Sequence, residues 1–453
     1  DWIEFRMWTV TDYIRDMMEY ATSLKPDIAA DSNGQSIFGV NQAFIHGIDH
    51  DEQPRHVDII CDECPDTRPD DEPGAIYPVT VRFRGMKFHR RYERPIFTAF
   101  KGEERLAFNM TFGGHPGINS RWGYAEPGTA PLNAPHPAVW ELLEHYRRNL
   151  RLYVDAVPLG RIAVWRGKKS LAFCSSHTHL SVCVLEQLLF NARIPFHIVM
   201  DRAIAGEDLS AWRLIVVPNT WYISDEQVAR LSDYVRGGGS LLITEQAGQY
   251  TAQPRRRLRP AFAHLFAEGL AEARAEQVEA FQFDPNQQFA TKLSAGAPAY
   301  AACGDGRVAY LPTIDYVHRP HAFHSGYNKR YDGIDSRYWK EPHNRREILD
   351  AIRWLDPSWD DLRVAGGPEL RTELVRSADG THALHLLRCG ALDGPHDLML
   401  SLRTDAAPAG AALHRPDQPE PIALQWHARG DRQEALLPGI ARLAVVDLGD
   451  YAY

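Results

Sequence analysis

Apolar residues Val10, Ile14, Met17, Ala21 and Leu24 recur at helical spacing and stop before Pro26, which predicts a helix near the start of the chain. "DIAADSN" then reads as a short buried strand finishing on Asp31, Ser32 and Asn33, and "VDII" as a second, finishing on Asp62 and Glu63. "VRFRGMKFHRRYER" predicts an amphipathic helix, "PIFTAF" a third strand ending at Lys101, and "RLAFNMTF" a fourth ending in the glycine turn of "GGHPG". In "HPAVWELLEHYRRNLRLYVDA" a long helix is expected, with Leu143, Tyr146, Leu150 and Tyr153 on one face. Strands that alternate with helices and end in polar residues form the pattern of a β/α barrel, and about four of its eight strands can be counted.

A second alternating block begins at Gly160. "RIAVW", "PFHIVM", "LIVVP", "SLLITE" and later "VAYLP" read as continuous apolar strands among the helical runs "HLSVCVLEQLLFNA", "SDEQVARLSDYVRGGG" and "NRREILDAIRWL". This predicts a parallel sheet covered on both faces, a flavodoxin-like doubly wound domain. Beyond Asp356, short alternating runs such as "THALHLLRC", "HDLMLSLRT", "PIALQW" and "ARLAVVDL" predict a small antiparallel β-sandwich. The expected division is a C-terminal half-barrel over 1–158, the doubly wound domain over 159–357 and the sandwich over 358–453.

Composition narrows the function class. The 453 residues are 44% hydrophobic and 24% charged, ordinary for a globular enzyme, and 11 Trp suit flat ligands such as sugars but equally a core. The net charge of -9 comes from interspersed acids and bases, which argues against nucleic acid or an anionic membrane as partner. No apolar run reaches the roughly 20 residues that span a bilayer. The six cysteines are scattered, so reduced thiols in a cytoplasmic protein are the expectation. Asp1 follows no basic or apolar leader pattern, and "DWIEFRMW" reads as the middle of a longer protein.

Cys61 and Cys64 stand in C-x-x-C spacing. A redox pair is disfavoured, because Asp62 and Glu63 between the thiols raise their pKa and Pro65 blocks a following helix. A zinc site would need further ligands such as His46 and His50, whose spacing is loose, so inert buried thiols are expected and no metal or cofactor is called for. The glycines of "RGGGS" close a helix rather than open one, so they form no phosphate loop. "LIVVP" is followed by "NTWYIS" without the Cys of a glutamine amidotransferase elbow, which leaves that block a structural or oligomerising role.

The order of parts resembles the later half of a clan A glycoside hydrolase of the family 42 β-galactosidase type. "DWIEFRMWTVTDYIRDMMEYATSLKPDIAADSN" is similar to the family helix after the fourth barrel strand and the strand that follows it. "DLSAWRLIVVPNTWYISDEQVARLSDYVRGGGSLLITEQAG" is similar to the family's trimerisation domain. The resemblance implies a carbohydrate substrate, a homotrimer, and an acid/base glutamate lying upstream of Asp1 with the missing half of the barrel. It also places the nucleophile at the end of the seventh strand, where this chain has Lys101, with Glu103 and Glu104 just beyond.

Glycoside hydrolysis needs two carboxyl groups flanking the bond. Glu63, after a buried-strand pattern at the catalytic rim, is the best candidate for one; alternatively, Asp62 and Glu63 cap a strand and solvate the acidic loop. Glu103 reads as a solvated loop charge. Asp31, Asn33, Asp62, Lys101, His115 and Trp122 are candidate substrate contacts, although Asp31 to Gly34 is also strong turn chemistry and Trp122 could equally pack a loop. A non-catalytic carbohydrate-binding or scaffold protein with the same architecture is the alternative.

Overall fold

The computed structural model describes residues 2–33, 37, 42–62, 82–98, 102–115, 137–173, 175–253, 255–266, 297–317, 340–390, 392–451 and 453. Helix α1 (Trp2–Leu24) starts earlier than its apolar spacing suggests and packs beside α2 (Gln42–His46). Then follow β1 (Asp31–Asn33), β2 (Ile59–Asp62), α3 (Arg82–Arg91), β3 (Ile96–Thr98), α4 (Gly102–Phe112), β4 (Gly114–His115) and α5 (Pro137–Arg148). The four strands form a parallel sheet in the order β1-β2-β3-β4.

"RLAFNMTF", expected as a strand, is helix α4. Leu106 to Phe112 are all buried, so the run shows no polar face from which to read a period. The true boundary signals are Glu103 and Glu104 in the first turn, where the helix dipole favours acids, and Gly113 at φ +89 as the stop. Helix α5 ends at Arg148 in a short turn, and Leu150, expected on the buried face, is 44% exposed.

Helix α3 also departs from expectation: it is not amphipathic, because every residue from Phe83 to Arg90 is buried. Three of its cations are matched by acids in other parts of the chain. Arg84 Nε donates to Glu186 Oε2 (2.6 Å), Lys87 Nζ to Glu373 Oε1 (2.7 Å) and Arg91 Nη1 to Glu207 Oε1 (3.1 Å). The Phe83 ring stacks on Phe190 at 4.2 Å.

After β5 (Val157–Pro158), the second sheet comprises β6 (Ile162–Arg166), β7 (Phe196–Met200), β8 (Leu214–Val217), β9 (Ser240–Thr244), β10 (Ala299–Cys303) and β11 (Gly306–Leu311). Its order is β10-β11-β9-β8-β6-β7, parallel throughout except for the edge strand β10. All residues of β6 to β9 are buried, and neighbours along a strand enter different cores. Ile162, Val164, Leu214 and Val216 join one cluster, while Ala163, Trp165, Ile215 and Val217 join another, so both faces are covered. Helices α6 (Lys168–Phe173), α7 (Ser175–Asn191), α8 (Asp201–Gly206), α9 (Asp225–Arg236) and α10 (Arg345–Leu355) alternate with these strands. Thr178 to Phe190 of α7 are buried without interruption, since the helix lies against both the sheet and α3.

The remaining strands are β12 (Leu362–Ala365), β13 (Leu370–Arg376), β14 (His382–Arg388), β15 (His396–Arg403), β16 (Ala412–Arg415), β17 (Gln418–Ala423), β18 (Trp426–Arg429), β19 (Arg432–Ile440) and β20 (Leu443–Asp447). They form two antiparallel sheets, β12-β15-β19-β18 and β17-β16-β20-β14-β13-β5, around their own apolar core. Pro158 of β5 pairs with Val375, which stitches the segment ahead of the second sheet to the edge of the third unit. One continuous core runs from Ile60 and Ile96 through Phe83, Phe190 and Phe196 to Val375 and Leu443.

Candidate active site at the rim of the first sheet

Parallel strands present their C-terminal ends on one side, and register decides which residues meet there. Asn33 pairs with Cys61, Cys61 with Phe97 and Phe97 with His115, one row across all four strands. One residue earlier, Ile60 and Ile96 are fully buried in the core beneath α3. Since side chains alternate faces, Cys61, Phe97 and His115, each half-buried, lie on the face turned away from that helix. Asn33 and His115 stand at opposite ends of the row, about 14 Å apart at ~4.8 Å per strand.

Asp31, expected at the end of its strand, is instead the first residue of β1, paired with Ile59 and exposed. Asp62 closes β2 beside Thr98, at the rim itself. Glu63, Lys101 and Trp122 lie outside the described residues. Cys61 sits within a parallel strand rather than at a helix N-terminus, and Cys64 is outside the described residues.

His115 is held by a residue that sequence reasoning did not single out for it: its Nδ1 is 3.1 Å from Tyr146 Oη. The Phe97 ring meets it edge-on at 6.3 Å. Burial, with the Arg90 charge nearby, holds the imidazole below its usual pKa, so at neutral pH it is an uncharged hydrogen-bonding group. Burial likewise pushes the Tyr146 hydroxyl up to about 12.

Glu103 is no loop charge. It stands in the first turn of α4 and pairs with Arg442 at 3.5 Å, while Glu104 Oε1 accepts from Gly390 N at 2.8 Å. Both acids are thereby engaged with the β14 to β20 region.

The second sheet has a crevice of its own, where strand order reverses between β6 and β8. The residue after Pro218 at the end of β8 is Asn219, at φ +44. Its Oδ1 accepts from Trp221 Nε1 (2.8 Å) and Gln246 N (3.1 Å), so the side chain braces the turn. Glu245, also left-handed at φ +53, accepts from Tyr316 Oη at 2.8 Å and from Ser181 Oγ.

Among the described residues no cluster of three or more His, Cys, Asp or Glu could hold a metal, and no helix is long and apolar enough to cross a membrane.

Comparison with known proteins fits this geometry. Residues 186–287 match the β-galactosidase trimerisation domain family. No curated protein sequence matches the chain. Among solved structures, the family 42 β-galactosidase Gan42B from G. stearothermophilus superposes with TM-score 0.62 at 11% identity, over 99% of this chain and 67% of that one. The β-galactosidase from Bacillus circulans sp. alkalophilus gives 0.60 at 12% identity over 98% and 67%. An α-L-fucosidase, isoenzyme 2 from Paenibacillus thiaminolyticus, gives 0.55 at 12% identity over 97% and 71%. The chain thus spans about two thirds of the length of the β-galactosidases it superposes on. Its fold is similar to that of the family 42 β-galactosidases, and its central stretch matches the model of their trimerisation domain.

Proposed function

We propose that the chain is part of a glycoside hydrolase of the β-galactosidase type that acts, with retention, on a galactoside or related glycan. The observation that carries this reading is the rim of the first sheet. Asp62 ends β2 there, and Glu63 is the next residue in the chain. On this reading β1 to β4 are the last four strands of a (β/α)8 barrel spanning 1–158, whose chemistry sits at strand C-termini. The flavodoxin-like domain over 159–357 and the sandwich over 358–453 complete it, and the match to a trimerisation domain supports a homotrimer.

A retaining pair needs two carboxyl groups about 5–5.5 Å apart, one donating its proton to the leaving oxygen and the other attacking carbon. Glu63 supplies one; its partner comes from a segment preceding Asp1 in the full-length protein. Asp31, Asn33, Asp62, Lys101, His115 and Trp122 surround them as hydroxyl and ring contacts. The sugar is open, since both β-galactosidases and an α-L-fucosidase share the fold.

Assay of the full-length protein on nitrophenyl glycosides, repeated with Glu63→Gln, tests the assignment. A loss of about 100-fold or more is expected, and full activity in the variant removes Glu63 from the mechanism. Lys101, where the resemblance expects a glutamate, favours a second reading, a carbohydrate-binding scaffold. Saturable glycan binding without turnover in the full-length protein would select it.

A further inference from the structure

Below the rim of the first sheet, the segments leading into β3 and β4, together with His115 at the end of the rim row, meet the end of β13 and the turn after it around a cavity of about 360 Å³. Arg90, Arg94 and Arg376 line it together with Ser377. Glu93 and Asp155 are the carboxylates on its wall, so guanidinium groups outnumber acids.

Two of these polar groups are buried and incompletely paired. Arg90 is 6% exposed; its Nη2 donates to Tyr153 O at 3.2 Å, while Nη1 has no hydrogen-bond partner among the described residues. Ser377 is 4% exposed; its main chain is used by the turn, with N donating to Thr381 O at 2.8 Å, but Oγ has no partner among the described residues. A buried donor left unpaired carries its full desolvation cost, and both of these side chains belong to residues that line the cavity.

The backbone around the cavity is also unusual. Glu93 and Asp155 occupy the left-handed region at φ +57 and +52, and Gly113 lies at φ +89. A Cβ at Gly113 would fall 2.3 to 2.5 Å from Arg90 Cδ, Nε and Cζ, so the guanidinium lies directly against the glycine backbone at the cavity wall. Non-glycine residues in this conformation are held at a cost and gather where ligands are clamped.

We propose that this cavity binds a tetrahedral oxyanion, the phosphate or sulfate group of a small molecule. Arg90 and Ser377 are its fixed donors, and Arg94 and Arg376 supply the outer charge. The donors come from α3, from the segment before β3 and from the β13–β14 turn, and such convergence from different elements suits a tetrahedral anion better than a planar carboxylate. Glu93 and Asp155 limit the positive excess, which fits one anionic group rather than a polyanion. The volume exceeds that of an inorganic anion and leaves room for the molecule that carries it.

The test is thermal unfolding at constant ionic strength, with inorganic sulfate, inorganic phosphate or acetate replacing chloride. Sulfate, phosphate or both are expected to raise Tm saturably, and the stronger response identifies the natural group. Arg376→Gln and Ser377→Ala, on the turn, are expected to weaken apparent affinity at least tenfold, and Arg90→Lys to abolish it. Should Arg90→Lys fail to fold, the two turn variants decide. A response no greater than that to chloride, an equal response to acetate, or saturation unchanged in both turn variants would overturn the proposal.

Discussion

Lys87 and Glu373, 286 residues apart in sequence, form a buried ion pair in which Lys87 Nζ lies 2.7 and 2.5 Å from the two carboxylate oxygens. The lysine belongs to α3 and the glutamate to β13, so the pair bolts the first sheet's helix to the sandwich. On the same helix, Arg84 shares Glu186 with Arg166, whose Nε donates to Oε1 at 2.7 Å. Buried pairs of this kind fix geometry more than they add stability, because desolvation offsets most of the Coulombic gain.

Breaking such a pair one-sidedly is costly. Glu373→Gln leaves Lys87 charged and uncompensated, and a loss of about 3–5 kcal/mol is expected from urea denaturation. The double variant Lys87→Met, Glu373→Leu should recover most of that loss. If the single and double variants unfold at the same urea concentration, the pair is not what holds these elements.

Helix α9 opens with a reciprocal cap: Gln227 N donates to Ser224 Oγ at 3.0 Å, and Ser224 N donates to the Gln227 side chain at 2.9 Å. Ser224→Ala removes one acceptor and should cost about 1 kcal/mol, whereas Ser224→Asp should cost little. Denaturation midpoints of the two variants separate capping from a general intolerance of the site.

Three histidines make the fold acid-sensitive. Burial, helped by nearby cations, lowers His145, His197 and His385 to about 3, against an ordinary value of 6.5. Between about pH 6.5 and about 3 the unfolded chain therefore binds protons that the folded chain refuses. Their contribution is complete above pH 6.5 and is lost as pH falls through that window. Stability measured at pH 7.5 and 5.5 should drop, and His197→Leu should flatten the slope. A flat profile in the parent protein would show that these imidazoles accept protons while folded.

Strands β6 to β9 were legible because both their faces are buried, and continuous apolar runs such as "LIVV" and "SLLIT" show this directly. The same full burial hid α4, whose Leu106 to Phe112 carry no polar face to betray a helical period. In α3 the charges suggested a solvated side, yet Arg84 and Lys87 are buried because their acids lie far along the chain, and pairing at that range leaves no local signal. The rim was readable at Asp62, since strand ends follow from apolar runs. Arg90 and Ser377 could not be linked in advance, because only the packing of β5 on α3 and the Lys87–Glu373 pair between α3 and β13 bring them to one cavity. The one available hint was a basic helix, "RFRGMKFHRR", without acids of its own.

Strand β3 is only three residues long, Ile96 to Thr98. Pro95 at its lower end lines the oxyanion cavity, and Thr98 at its upper end stands beside Asp62 at the rim. Some 10 Å of stiff, hydrogen-bonded backbone therefore links the cavity to the rim, and His115 on the neighbouring β4 belongs to both. An occupant that shifts Pro95 displaces the rim by the same amount, with no hinge between them to absorb the movement.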